Sequence, residues 1–310
     1  LRLAHFSDVH FTEAPFRIPW QHLVSKRILG WVNLTVFRRY PVFAGTREVA
    51  EALVRDLAEV RPDHIISTGD LTGISLPSEF AAARAAFAPL LARNGISGIP
   101  GNHDVYVRSA VRQDLYGGSF GAWTRTVLTR EEFPAELRAS YPYPLLEFLG
   151  DDVALISLHD VRPTWLHDSS GRVGKTQTRM LERVLADERL SGKTRVLALH
   201  TGLSRGDGSP DRFLHGLRDA ARVQEAAARG GVALVIHGHI HRRFVIPAGA
   251  RFPYAVANPG SVTSSRHERA YHLYDLAPGG RIEVRARRYD PARKAFADWP
   301  EAPGTGVIRG

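Results

Sequence analysis

Asp, Asn and His residues recur along this chain in short polar groups: Asp8-Val9-His10, Gly69-Asp70, Gly101-Asn102-His103-Asp104, His200, and Gly238-His239-Ile240-His241. Carboxylate, amide and imidazole are the donors that divalent cations such as manganese, zinc and iron accept. In extended backbone two residues at i and i+2 point the same way, so Asp8 with His10 can grip one ion, and His239 with His241 repeats the arrangement. Asp70 follows a glycine turn, and its two oxygens can bridge two ions. A single Gly-Asp pair or a single strand-end histidine is ordinarily structural, and the ordered set carries the case. The chain has no cysteine, which excludes disulfides, thiolate zinc sites and cysteine nucleophiles and fits a reducing compartment.

Each polar group ends a short apolar run. Leu1–Phe6, His64–Ser67, Ile96–Ile99, Val153–Leu158, Val196–Leu199 and Val232–Ile236 have the length and bounding turn residues of buried strands. Amphipathic stretches lie between them at Thr46–Val60, Ser78–Leu91 (with Ser78 as a capping candidate) and Thr176–Leu190. This alternation predicts an α/β domain, and ligands at strand ends converge on one crevice of such a sheet. Phe252–Ala257, Tyr271–Leu276 and Ile282–Tyr289 read as later strands, the last two joined by a Pro278-Gly279-Gly280 hairpin, which predicts an antiparallel portion. A single domain over 1–310 is expected, with insertions at 11–47 and 106–151. His5, His64, His159 and His237 lie beside the motifs and read as structural.

The ordered set resembles the calcineurin-like metallophosphoesterases. The resemblance covers roughly residues 1 to 275 and includes the loop Asn258-Pro259-Gly260-Ser261. It implies a four-layer αββα sandwich of two mixed sheets with a dinuclear metal site between them. It implies that Asp8, His10, Asp70 and His241 hold one ion, and Asp70, Asn102, His200 and His239 the other. His103 would then face the substrate phosphate, protonating the leaving oxygen or stabilising charge, with Asp104 orienting it. Two ions so held lower the pKa of a shared water and offset charge on phosphoryl oxygens. Manganese is the first expectation, with zinc or iron as alternatives. The chain departs from many members in carrying His200-Thr201-Gly202 where they have His-His-Pro.

Lys plus Arg number 41 against 32 acidic residues, a net charge of +9, which attracts polyanions. The stretch from Ala14 to Arg47 has no acidic residue. It carries Lys26, Arg27, Arg38 and Arg39 among apolar side chains, with Trp20, Leu23, Val24, Ile28 and Trp31 at helical spacing. Its longest uncharged apolar run, Ile28 to Phe37, is far short of the roughly 20 residues of a spanning helix. It reads as a membrane-surface helix, a packed cap, or a nucleic-acid-binding segment. On the first reading Trp20, Lys26, Arg27, Trp31, Arg38 and Arg39 meet substrate or membrane. This segment, with Lys26-Arg27-Ile28-Leu29-Gly30 and Asn33, resembles metallophosphoesterases that cleave UDP-2,3-diacylglucosamine in lipid A biosynthesis, releasing UMP and an acylated sugar phosphate. Some of those have Arg where this chain has His103.

The expectation is therefore a dinuclear-metal hydrolase of a phosphodiester or pyrophosphate bond in a lipid-linked substrate. It would be cytoplasmic, since no secretory signal is read at the start, and peripheral on an anionic inner-membrane surface. A soluble cyclic-nucleotide or general phosphodiesterase, a nuclease, and a binding protein on the same fold remain the alternatives.

Overall fold

The apolar runs fold as strands that stop at the polar groups following them. The computed structural model describes residues 1–14, 18–23, 25–36, 40–43, 45–277 and 280–309. Its strands are β1 (Arg2–Phe6), β2 (His64–Ser67), β3 (Ile96–Gly98), β4 (Leu145–Leu149), β5 (Val153–Ser157), β6 (Thr194–Ala198) and β7 (Val232–Ile236). They continue with β8 (Arg243–Ile246), β9 (Ala255–Pro259), β10 (Ala270–Leu276), β11 (Arg281–Asp290), β12 (Ala295–Asp298) and β13 (Gly306–Arg309). Among the described residues they form two mixed sheets. One runs β12-β11-β10-β1-β2-β3, with β13 also on β11, and the other runs β4-β5-β6-β7-β9-β8. The strands that lead to the polar motifs are parallel neighbours, β1 with β2 and β2 with β3, and β6 with β7. Their carboxyl ends therefore lie on one side.

Strand alternation builds the layers. In β1, Ala4 and Phe6 face the helix Thr46–Val60 while Leu3 faces the second sheet. In β2, Ile65 and Ile66 divide the same way, and in β5 Ala154 and Ile156 point out while Val153 and Leu155 point in. Strands covered on both faces read as continuous apolar runs, as these do. Val49, Leu53 and Leu57 of Thr46–Val60 and Phe80 of Pro77–Ala86 cover the first sheet. Met180, Leu181 and Val184 of Lys175–Leu185 and Val223 of Ala220–Arg229 cover the second. The fold is thus α/β, with its two sheets face to face between helical layers.

Several boundaries differ from the sequence reading. The stretch Ser78–Leu91 is two helices, Pro77–Ala86 and Ala88–Leu91, and Glu79 rather than Ser78 secures its start by accepting the Ile74 and Leu76 N–H groups at 2.9 and 3.0 Å. Thr176–Leu190 is helical only over Lys175–Leu185, followed by a 3₁₀ turn at Glu188–Leu190. The strand expected at Phe252–Ala257 begins at Ala255. Four short strands were not expected: β12 and β13 carry few large apolar residues, whereas β4 and β8 are apolar but end in no polar motif. Of these, β4 lies inside the stretch read as an insertion at 106–151, and Phe120 and Trp123 of that stretch are buried in the first core. β10 and β11 pair antiparallel as expected, whereas Pro278 and Gly279 of the hairpin lie outside the described residues.

Candidate metal centre

All seven candidate ligands sit just past the carboxyl ends of strands: Asp8 and His10 after β1, Asp70 after β2, Asn102 after β3, His200 after β6, and His239 and His241 after β7. Extended backbone does not position them. Asp8, His10, Asp70, His239 and His241 have φ of 56°, 53°, 56°, 69° and 60°, the left-handed region that L-residues avoid at a cost of about 1–3 kcal/mol each. The shared facing of Asp8 with His10, and of His239 with His241, thus arises from strained turns, which corrects the i, i+2 strand argument. Glycines make room for them. A Cβ on Gly101 would lie 2.1 Å from Asp70 Oδ1, and one on Gly238 would lie 2.0 Å from Ser7 Oγ. The loop Asn258–Ser261 holds two of the turns, because Ser261 Oγ donates to Asp8 O and Asn258 Nδ2 to Gly238 O, each at 2.6 Å.

The donor atoms gather in two groups that share Asp70. Those of Asp8, His10, Asp70 and His241 lie within 4.8 Å of one another, as do those of Asp70, His200 and His239. In the first group His10 Nε2 is 2.9 Å from His241 Nε2, and His241 Nε2 is 3.3 Å from Asp8 Oδ1. In the second His200 Nε2 is 3.4 Å from Asp70 Oδ2, and Asn102 Oδ1 lies 3.0 Å from His200 Nε2 and 2.8 Å from His239 Nδ1. Ligands about 2.1 Å from one ion are separated by roughly 3–4 Å, so these spacings fit two ions.

Tautomers fit as well. His10 Nδ1 faces Thr72 O at 3.3 Å, His200 Nδ1 faces Thr68 O at 2.6 Å, and His239 Nε2 faces His215 O at 2.9 Å. A ring nitrogen next to a carbonyl carries the hydrogen, which leaves the opposite nitrogen bare toward the cluster. The charge balance also calls for cations, because Asp8 and Asp70 are 0% and 1% exposed. Burial would raise the Asp70 pKa, but His200, His103 and His10 outweigh it and hold the carboxyl well below its ordinary value. Burial likewise opposes a charge on His200, yet Asp70 and Asp8 draw its pKa up to about 10, so a cation bound between these carboxylates would displace the Nε2 proton.

His103 stands beside this cluster. Its N–H donates to Asp70 Oδ1 at 2.7 Å, its Nδ1 hydrogen-bonds Gly73 O, and its ring stacks on Tyr106 with centroids 5.4 Å apart. The expectation that Asp104 orients this ring is corrected. The Asp104 carboxylate accepts the N–H groups of Gly101, Leu71 and Thr72 at 2.9, 3.2 and 2.9 Å, and so ties the loop after β3 to the loop after β2. Burial, with Asp70 nearby, raises its pKa to about 7.

The family profile described as calcineurin-like phosphoesterase matches residues 1–243. The chain belongs to that family. It is a metal-dependent phosphoesterase with a dinuclear divalent metal site. Solved structures share the fold at low identity. A dimetal phosphatase from Danio rerio is 13% identical over 96% of this chain and 98% of that one, with a TM-score of 0.66. A purple acid phosphatase from yellow lupin seeds is 14% identical over 99% and 53%, with a TM-score of 0.59. A sulfate thiohydrolase from Thermus thermophilus is 17% identical over 96% and 58%, with a TM-score of 0.52. No curated protein matches the chain in sequence.

Two residues that sequence reasoning missed complete the phosphoesterase site. Asp160 accepts the His200 and Thr201 N–H groups at 3.0 and 2.7 Å, fixing the loop where this chain departs from the His-Pro pattern. The His215 ring packs against His239, tilted by 35° with centroids 4.1 Å apart, and its Nδ1 lies 2.5 Å from Asp211 Oδ2. Asp160 follows the apolar run Val153–Leu158, the same strand-end position that marks the ligands, whereas only the i, i+4 spacing of Asp211 and His215 could have hinted at His215.

The basic insertion packs onto the domain. It forms short helices at Trp20–Leu23, Arg27–Thr35 and Tyr40–Phe43, so the spacing from Trp20 to Trp31 does not belong to one helix. Ile18 and Leu34, with half-buried Trp31 and Tyr40, pack against Ile74, Leu76, Tyr106, Val107 and Ala110. Arg27 is buried, donating through Nε to Ile74 O at 3.0 Å and through Nη2 to Ser75 O. It therefore anchors the insertion and does not meet a membrane. Lys26 turns toward the metal centre: Nζ donates to Thr164 Oγ1 at 2.8 Å and Asp168 O at 2.9 Å and lies 4.7 Å from the Tyr106 ring centroid. Burial lowers its pKa to about 8, against the pull of Asp168. Trp20 is exposed, and Arg38 and Arg39 lie outside the described residues. Arg27→Ala is expected to destabilise the protein by about 2–3 kcal/mol, by leaving buried carbonyls without donors. Trp20→Ser should change stability by no more than about 0.5 kcal/mol. Thermal melts of the two variants check this.

A cavity of about 630 Å³ opens over the ligands Asp70, Asn102, His239 and His241 and over His103. Lys26, Leu29, Val32 and Tyr106 also line it, together with Leu166, His167 and Asp168. Among the described residues no helix is long and apolar enough to cross a membrane.

Proposed function

We propose that this phosphoesterase hydrolyses a phosphodiester or pyrophosphate bond in a lipid-linked substrate of the kind that UDP-2,3-diacylglucosamine represents. The observation that carries the reading is the two-sided cavity. Its floor is the ligand cluster with His103, and its wall presents Leu29, Val32 and Leu166 beside the Lys26 ammonium. A polar head with phosphates and an apolar tail would satisfy both surfaces.

Two divalent ions, manganese in our proposal, would be held by Asp8, His10, Asp70, Asn102, His200, His239 and His241, and supply an activated water and positive charge at the phosphoryl group. Around them the chain's own groups divide the work. His103, its Nδ1 hydrogen fixed on Gly73 O, presents Nε2 to the leaving oxygen and donates the proton that oxygen needs. Lys26 binds a phosphate oxygen next to the scissile bond. The insertion excludes water and orients the acyl part.

The test is hydrolysis, with manganese added, of UDP-2,3-diacylglucosamine in detergent, the corresponding unacylated UDP-sugar, a cyclic nucleotide and a short DNA. We expect UMP release from the acylated substrate with kcat/KM about 10²-fold or more above the others, since contacts remote from the reacting bond lower the barrier. Equal rates on acylated and unacylated sugar would reject the lipid-linked reading, and preference for the cyclic nucleotide would establish a soluble phosphodiesterase instead.

A further inference from the structure

The three most exposed large apolar side chains among the described residues are Trp165, Trp20 and Phe213, at 82%, 76% and 74%. Single exposed apolar side chains are ordinary on a protein surface, but Trp165 and Phe213 stand on two loops joined to each other. Trp165 adjoins Leu166, which lines the metal cavity, and Phe213 precedes Leu214 and His215, which line that cavity or the one beside it. Leu166 and Leu214 are themselves 45% and 48% exposed.

Polar contacts hold the three segments together. Lys26, a few residues beyond Trp20, ties the insertion to Thr164 and Asp168. Ser169 N donates to Leu214 O at 2.9 Å, joining the 164–169 loop to the 212–215 loop. Arg218 pairs with Asp168 at 2.7 Å and lies 4.7 Å from the Phe213 ring centroid. Trp165 and Phe213 thus stand on tethered loops beside the cavity opening.

Charge decides what they meet. Asp168 is neutralised by Arg218, and Asp211 bonds His215. Arg205, Arg212, Arg242 and Arg266 are exposed and form no ion pair among the described residues, with Asp207 and Glu268 as the exposed acids beside them in sequence. Arg205, Arg212 and Arg242 line the second cavity, of about 770 Å³, and Arg266 the first. Aromatic side chains ringed by arginine match a bilayer interface, with rings at the headgroup boundary and guanidinium groups on lipid phosphates.

We infer that the loops around the cavity mouth form a docking collar for an anionic membrane surface, with Trp165 and Phe213 entering the interface and Arg205, Arg212, Arg242 and Arg266 meeting the headgroups. The collar rests on the lipid-linked reading for the direction from which substrate arrives. It relocates the membrane contact from the basic helix expected in the sequence to loops that carry no motif.

The test is co-sedimentation with vesicles of phosphatidylglycerol or of phosphatidylcholine. Wild type is expected to bind the anionic vesicles at low salt, to bind the zwitterionic ones at least about tenfold less, and to be released as salt rises. Trp165→Ser with Phe213→Ser should lower binding about tenfold or more. It should leave turnover of bis(p-nitrophenyl) phosphate unchanged, which shows the variant folded. Val127→Ser, on the β4 side of the molecule, should bind as wild type does. Wild type that ignores phosphatidylglycerol, a double variant that binds normally, or a lipid-free dimer broken by the same substitutions would each overturn the collar. If vesicle binding fails while the acylated substrate is still preferred in detergent, the collar falls and the lipid-linked reading stands. Vesicle binding without acyl preference would uphold the collar and reject that reading.

Discussion

Asp70→Ala is expected to abolish hydrolysis and strip metal from both halves of the site. Asp70 is the residue common to the two donor groups, with Oδ2 3.8 Å from His10 Nε2 and 3.4 Å from His200 Nε2. An alanine leaves each ion one ligand short and removes the negative charge between them. Losing the charge stabilisation that two ions provide at the phosphoryl group should cost about 10³-fold or more in kcat. Asp70→Asn separates charge from shape: its oxygen can still accept the His103 N–H, yet most of the loss should remain. Metal analysis and turnover on bis(p-nitrophenyl) phosphate check both variants. Full activity of Asp70→Ala with normal metal content would exclude a shared carboxylate.

His103→Ala should give the opposite pattern, keeping the metal and losing rate. Its side chain belongs to neither donor group, and its Nδ1 is occupied by Gly73 O. The expected loss is about 10²–10⁴ in kcat, the range for one proton-transferring group. It should shrink for nitrophenyl esters, whose leaving groups need no proton, and be largest for alkyl or sugar leaving groups. A fall in metal content would make His103 a ligand. An equal loss across leaving groups would assign it to charge stabilisation instead.

The metal cluster was legible in the sequence because ligands at strand ends leave a linear trace. Apolar runs buried on both faces end abruptly, and the polar residue that follows is forced toward the crevice. The backbone that aims those ligands was not legible, since a left-handed φ at Asp8, His10, Asp70, His239 or His241 has no sequence mark where the residue is not glycine. Support from distant segments was also hidden. Asp160 steadies the His200 loop and His215 the His239 ring across 40 and 24 residues of chain. The insertion misled for a physical reason: apolar residues at helical spacing look alike whether they cover a core or a membrane. Only the tertiary fold shows Arg27 buried on two carbonyls and Trp165 and Phe213 left in the open.

The most direct test of the central claim is the metal stoichiometry of the active protein. Elemental analysis of protein reconstituted with manganese should find two ions per chain, and activity should vanish on chelation and return as the second equivalent is added back. Full activity with one ion per chain, or activity that survives complete chelation, would contradict the dinuclear centre.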